Sequence, residues 1–216
     1  MKCRHCKADC IKKGKQKEVQ VFRCKDCLKY QRLEYAYNSK SVSSDQIAHL
    51  IKEGCGIRSI GRILKISNST VIRRTLEIAK KLKKKSLISF GQTYQVDELF
   101  TFVRNKTNKV CVAYSYNPKT QQVIDIVVGR RNKTNLNRVT STLILAKAKT
   151  IITDKLAIYK ELIPTELHST KYRGINHIER QNLTLRTHLK RLNRRTICFS
   201  KSLLMLEAVL KIYFWY

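Results

Sequence analysis

Two adjacent carboxylates, Asp97 and Glu98, stand inside the run TYQVDELFTFV (residues 93–103), which otherwise reads as a buried strand. Acids are scarce in this chain, 15 Asp and Glu against 45 Lys and Arg. Successive strand residues point to opposite faces, so at most one of the pair faces a given site. Alternation puts Val96, Glu98 and Phe100 on one face and Gln95, Asp97 and Leu99 on the other, without choosing between them. Two further acids fall beside apolar runs: Asp154 closes TIITD, and Glu179 lies early in NHIERQNLTLRTH. Carboxylates drawn together raise one another's pKa, and a hard divalent cation, Mg²⁺ or Mn²⁺, relieves that. Such a site can activate a water or sugar hydroxyl on one side of a phosphodiester and the leaving oxygen on the other. Taken singly, an acid in so basic a protein reads as a surface salt bridge, and Asp125, Glu161, Glu166 and Glu207 are assigned that role.

A second chemistry is written in the cysteines. CRHC (Cys3, Cys6) and CKDC (Cys24, Cys27) are separated by seventeen residues, a C-x2-C-x17-C-x2-C pattern inside the window for a four-thiolate Zn²⁺ site. The ion would replace a hydrophobic core too small to hold itself together. Between the pairs, a turn at Gly14 and a short strand with Val19 and Val21 on one face are expected. Cys10 and His5 break the symmetry and read as bystanders, and Cys55, Cys111 and Cys198 as ordinary core thiols. The opening residues MKCRHC lack the apolar centre of a secretory signal, so eight cysteines point to a reducing, cytoplasmic compartment.

The elements that must position these groups are carried on an extreme charge. A formal net charge of +30 in 216 residues repels itself in the compact state and marks a polyanionic partner, nucleic acid before an anionic membrane. Residues 1–90 hold 23 basic and 7 acidic residues, and residues 91–216 hold 22 and 8, so the basicity is not a tail on a neutral enzyme. No run approaches the ~20 apolar residues of a membrane span.

Three segments follow one another. Residues 1–34 read as a zinc ribbon. Residues 43–85 read as an all-α helix-turn-helix. Its first helix is capped by Ser43 or Ser44, a second carries Ile60, Ile63 and Leu64, and a third is capped by Asn68 with Ile72, Leu76 and Ala79 inward. Ser69, Thr70, Arg73 and Arg74 are left outside, where early residues reach base edges and arginines hold phosphate. KKLKKK (Lys80 to Lys85) closes the module as a solvated end that also touches phosphate. Residues 91–216 carry three β-rich runs, a helix, a short strand and further helices, an α/β layer pattern. On the helix after Glu179, Arg180, Asn182 and Arg186 fall on or near the exposed face as DNA-holding groups, or as a solvated basic face. The terminal IYFWY reads as a core-packing end.

The chain resembles transposases of the insertion sequence one family over nearly its whole length. The paired knuckles are similar to that family's zinc finger, and GIRSIGRILKISNSTVIRR to its helix-turn-helix. VDELF, TDKLAIY and HIERQNLTLRTHLKRLNRRTICFSKS are similar to the segments bearing its acidic triad. The resemblance implies a ribonuclease-H-like catalytic domain of the DDE type, with Asp97, Asp154 and Glu179 as the triad and Mg²⁺ or Mn²⁺ as cofactor. It selects Asp97 over Glu98, which is left for a basic neighbour or solvent to satisfy. It further implies an enzyme, associated with the nucleoid, that binds terminal inverted repeats, frees a 3′-hydroxyl and drives it into target DNA, working as a homo-oligomer because two ends must meet. Gln181 and Lys155 depart from the family pattern. A DNA-binding regulator with a degenerate C-terminal domain, and a nuclease that cuts without joining, are the alternatives.

Overall fold

A computed structural model describes residues 1–33, 42–83, 90–171 and 174–216. It divides into two compact units, Met1–Val42 and Ser43–Tyr216. Lys84 and Lys85 of the basic run, and Glu34 at the end of the expected ribbon, lie outside the described residues.

The first unit is a three-stranded antiparallel sheet of β1 (Cys10–Gln16), β2 (Val19–Cys24) and β3 (Tyr30–Arg32). The turn expected at Gly14 sits elsewhere. Lys17 and Glu18 have φ of 49° and 63° and join β1 to β2, the paired left-handed conformation that suits a two-residue hairpin. Gly14, at φ 91°, instead marks a slip in register between Lys12 and Lys15. β1 carries three lysines and is almost wholly exposed, and the buried hydrophobic residues described in this unit are Cys3, Phe22 and Cys24.

The second unit opens with α1 (Ser44–Lys52), α2 (Ile57–Ile63) and α3 (Asn68–Lys81). Ser43 caps α1 in a reciprocal box with Gln46. α3 is capped by Ser67, whose hydroxyl accepts from the Thr70 amide, so Asn68 is the first helical residue rather than the cap. The inward stripe of α3 differs accordingly from the one expected. Val71, Thr75, Ile78 and Ala79 are buried and Ile72 is 41% exposed. A threonine can occupy the stripe because its hydroxyl donates to the Val71 carbonyl at 2.7 Å. Ile63 of α2, expected among the apolar set, is exposed.

A five-stranded sheet follows, built from β4 (Thr93–Phe102), β5 (Lys109–Asn117), β6 (Gln122–Gly129), β7 (Thr150–Ile152) and β8 (His168–Ser169). Its order is β6-β5-β4-β7-β8; β4, β5 and β6 run antiparallel, while β7 pairs in parallel with both β4 and β8. This mixed sheet fits a ribonuclease-H-like domain. α4 (Lys133–Leu145) and α5 (Ala157–Leu162) cover one face, over a core that includes Tyr94, Val96, Ala113, Leu136, Leu143 and Tyr159. α6 (Asn176–His188) packs against β4, and α7 (Leu203–Trp215) against β6. β5 is buried on both faces from Val110 to Asn117, as a central strand between helical layers must be. The aromatic C-terminus packs as expected: Trp215 is buried and donates from Nε1 to the Val123 carbonyl at 3.0 Å. Asp125, expected in a surface salt bridge, is instead buried. It accepts from the Thr142 hydroxyl at 2.7 Å and from the Ile126 amide at 2.7 Å. Glu161 and Glu207 do form exposed or half-exposed ion pairs, with Lys133 and Lys211.

α1, α2 and α3 belong to the same compact unit as the sheet, and α1 and α3 both pack on α7. A glycine brings the α1–α2 turn against α6. Gly54, between α1 and α2, has φ 75°, and a Cβ built on it would overlap the carbonyl oxygen of His188 at the end of α6. Gly54→Ala should therefore destabilise this unit by at least about 2 kcal/mol, combining left-handed strain with the overlap. Denaturant unfolding of the variant measures it, and wild-type stability would mean that the α1–α2 turn does not rest on α6.

Candidate active site

The parallel strand β7 pairs with β4 only from Thr93 to Gln95, so the β4 edge from Val96 onward is not covered by β7. Asp154 follows two residues after β7 and is fixed by the Leu156 amide, which donates to its Oδ1 at 3.0 Å. Asp97 and Glu98 flank the uncovered edge from opposite faces. Asp97, Glu98 and Asp154 each present an oxygen, all within 4.8 Å of one another.

Burial pushes the Asp97 carboxyl above its ordinary range, and the charges of Asp154 and Glu179 add to this, against the Glu98 amide and Asn182. Glu98 is raised in the same way, first by burial and then by Asp154 and Asp97. Three half-buried carboxylates so placed form a hard-oxygen donor set that suits Mg²⁺ or Mn²⁺. Glu98 was expected to meet a basic neighbour or solvent. Its bonded partner is the hydroxyl of Tyr159, a fully buried residue of α5, which donates to Oε1 at 2.5 Å, while the Arg131 charge acts on it from further off. Alternation allowed only one of the pair to face the site and the resemblance chose Asp97, which left Glu98 outside; β7 stops pairing at Gln95, and Glu98 lies with the other two acids beyond it.

Glu179 lies in the first turn of α6, exposed and outside the group of three, with its charge felt at Asp97. Of the residues expected beside it, Arg180 is exposed and Arg186 half-buried. Asn182 differs from its expected exposed position. It is buried with Ile178 and Leu185 on the inward stripe, at i, i+4 and i+7, a spacing that could have revealed it. Its amide is satisfied there, donating from Nδ2 to Asp97 Oδ2 at 2.7 Å and accepting at Oδ1 from the Tyr114 hydroxyl at 2.8 Å. On α3, Ser69 and Arg73 are exposed and Thr70 and Arg74 half-buried; Arg73 pairs with Glu77 at 2.8 Å.

In the first unit the sulfurs of Cys3, Cys6, Cys24 and Cys27 lie within 4.8 Å of one another, with Cys3–Cys27 at 3.6 Å and Cys6–Cys24 at 3.3 Å. A tetrahedron with Zn–S bonds of about 2.3 Å has sulfur edges of about 3.8 Å, so the four fit zinc with a small expansion. Amides of Cys6 and His5 draw the Cys3 thiol down to about 6. Against the pull of the Lys29 amide, burial and the neighbouring cysteines push the Cys27 thiol up to about 12. Four such thiols cannot all ionise without a cation between them. Cys10 stays outside the group, its sulfur accepting from Gln31 Nε2 at 2.9 Å. Cys111 is buried as expected, whereas Cys55 is half-buried and Cys198 exposed.

Residues 92–215 match a family described as IS1 transposase. The insertion element iso-IS1n protein InsB of Shigella dysenteriae is 34% identical over 116 residues, which cover 54% of this chain and 88% of that protein. The IS1 protein InsB of Shigella flexneri is 32% identical with the same coverage, and the IS1 9 protein InsB of Escherichia coli K12 is 32% identical over 54% of this chain and 70% of its own length. Among solved structures, a chain of the simian T-cell lymphotropic virus intasome with PP2A regulatory subunit B56 gamma gives a TM-score of 0.36 at 13% identity, over 66% of this chain and 59% of that one.

Proposed function

The chain belongs to the IS1 transposase family, and from that premise we propose that it binds the terminal inverted repeats of its element, cleaves at their 3′ ends and joins them to target DNA. The observation that carries the reading is the convergence of Asp97, Glu98 and Asp154 at the β4 edge beyond β7. Asp97 and Asp154 would hold the catalytic cation, with Glu179, exposed in the first turn of α6 and outside that group, as the third acid of the triad. When bound, Mg²⁺ or Mn²⁺ supplies activation of the attacking oxygen and neutralises charge on the leaving one.

The chain's own residues bind and orient the DNA. Residues 43–85 act as a helix-turn-helix, with Ser69 and Thr70 at the start of α3 toward base edges and Arg73 and Arg74 on phosphates. The hydroxyls of Ser69 and Thr70 already lie 3.1 and 2.8 Å from Ser67 Oγ, so base contacts would be made by re-aiming them. Arg180 and Arg186 hold the backbone near the carboxylates. The buried Nε of Arg186 has no hydrogen-bond partner among the described residues, and an unmet donor of this kind costs about 1–3 kcal/mol, which argues for an acceptor arriving with the substrate. The zinc ribbon of residues 1–34 and the net charge of +30 add backbone affinity. The enzyme acts in the cytoplasm on the nucleoid, as a homo-oligomer that pairs two ends.

Incubating the purified chain with a labelled terminal-repeat duplex, a target plasmid and Mg²⁺ tests this. Nicked ends together with joined products are expected. Nicks without joins would make it a nuclease, and binding without either product a regulator.

A further inference from the structure

Asn182 reads from sequence as a DNA contact on an exposed helix face, and its surroundings assign it another task. Asp97 and Tyr114 are directly opposed across β4 and β5 and therefore share the face of the sheet that α6 covers. Asn182 bridges them, its Nδ2 donating to Asp97 Oδ2 at 2.7 Å and its Oδ1 accepting from Tyr114 at 2.8 Å. The carboxylate can only accept, which fixes which end of the amide faces it, and the other end then needs a donor. Tyr114 supplies one. It is fully buried, its ring stacks on Phe214 with centroids 5.8 Å apart, and its alternative acceptor, the Ile178 carbonyl, is further off at 3.3 Å. A second tie lies beside it: Gln95 of β4 accepts from the Ile178 amide at 2.8 Å and donates to the Gly174 carbonyl at 2.5 Å. The first turns of α6 are thus bonded to the sheet by side chains of β4 and β5, with Glu179 between the two ties.

We propose that Asn182, oriented by Tyr114, is a positioning residue for the cation site rather than a DNA contact. It occupies one oxygen of Asp97, turns the other toward Asp154, and fixes the rotation of the helix that carries Glu179. This rests on the proposed function, because it takes Asp97 and Asp154 as cation ligands. An outer partner of a ligand typically changes metal affinity by about 10–100-fold.

The test uses the full zinc-loaded chain. Mn²⁺ affinity is measured by electron paramagnetic resonance, and affinity for a mixed-sequence DNA duplex is measured separately in EDTA concentrations that leave the zinc in place. Asn182→Ala should lose about tenfold or more in Mn²⁺ affinity, and Tyr114→Phe, which keeps the packed ring, should move the same way by a smaller factor. Duplex affinity should not change in either variant. Wild-type Mn²⁺ affinity in both variants, or a fall in duplex affinity alone, overturns the proposal. Asp154→Asn separates the two levels. If it loses Mn²⁺ while Asn182→Ala does not, the positioning role fails and the site stands; if it keeps Mn²⁺, the site is wrong and this inference falls with it.

Discussion

Asp154→Asn should leave a folded protein that still binds its terminal-repeat duplex but neither nicks nor joins it, with rates lower by on the order of a thousandfold. The substitution is close to isosteric, and its local role survives it. The bond that Asp154 makes to its own loop is an acceptance, from the Leu156 amide at 3.0 Å, which an asparagine Oδ1 can make equally well. What is lost is one negative charge among three carboxylates within 4.8 Å of one another, and with it a hard ligand for a divalent ion. The loss therefore falls on chemistry and not on folding, and a melting curve run beside the labelled-duplex assay checks that division. Removing one acid also removes a charge that pushes Asp97 and Glu98 upward, so the apo variant should be no less stable than wild type. Cleavage or joining within about tenfold of wild type would remove Asp154 from the site, since loss of a cation ligand costs several kcal/mol.

The antiparallel strands β4, β5 and β6 were legible because three β-rich runs joined by short links such as the NPKT turn agree with the pairing that forms. The two-residue strand β8 was not, since HS carries no period at all. Within the site, resemblance chose Asp97 over Glu98, and what the sequence lacked was relational. That Glu98 joins the acids depends on where β7 ends, a property of another strand's pairing. That Asn182 meets Tyr114 and Asp97 depends on the β4–β5 register, which one strand cannot state. Asn182 carries a further lesson. It sits on the inward stripe of its helix because hydrogen bonds met inside the fold satisfy it, as the Val71 carbonyl satisfies Thr75 on α3, whereas a polar letter reads as an outward face. β1 failed from the other side: its charged residues lie exposed, and backbone pairing to β2, with the cysteines behind it, makes it a strand.

That last case sets the largest stability effect in the chain. Stripping zinc from Cys3, Cys6, Cys24 and Cys27 with a strong chelator should unfold residues 1–33 while the unit from Ser43 to Tyr216 keeps its structure. The buried hydrophobic residues described in the first unit are Phe22 and two of the cysteines themselves, whereas the second unit holds its own sheet and apolar core. Ordering a backbone costs about 1–2 kcal/mol per residue, and so few buried groups cannot offset that over this length. Structural zinc sites contribute roughly 10–16 kcal/mol at neutral pH, enough to reverse the balance. Without the ion the sulfurs also oppose one another, since the same crowding that pushes Cys27 up to about 12 would have to be met by leaving thiols protonated. Cys24→Ser should act as the chelator does. Amide exchange reads the result residue by residue: protection in β1, β2 and β3 should vanish, and protection in β5 should persist. Retained protection in β2 after the metal is gone would mean that the hairpin, and not the ion, holds this unit together.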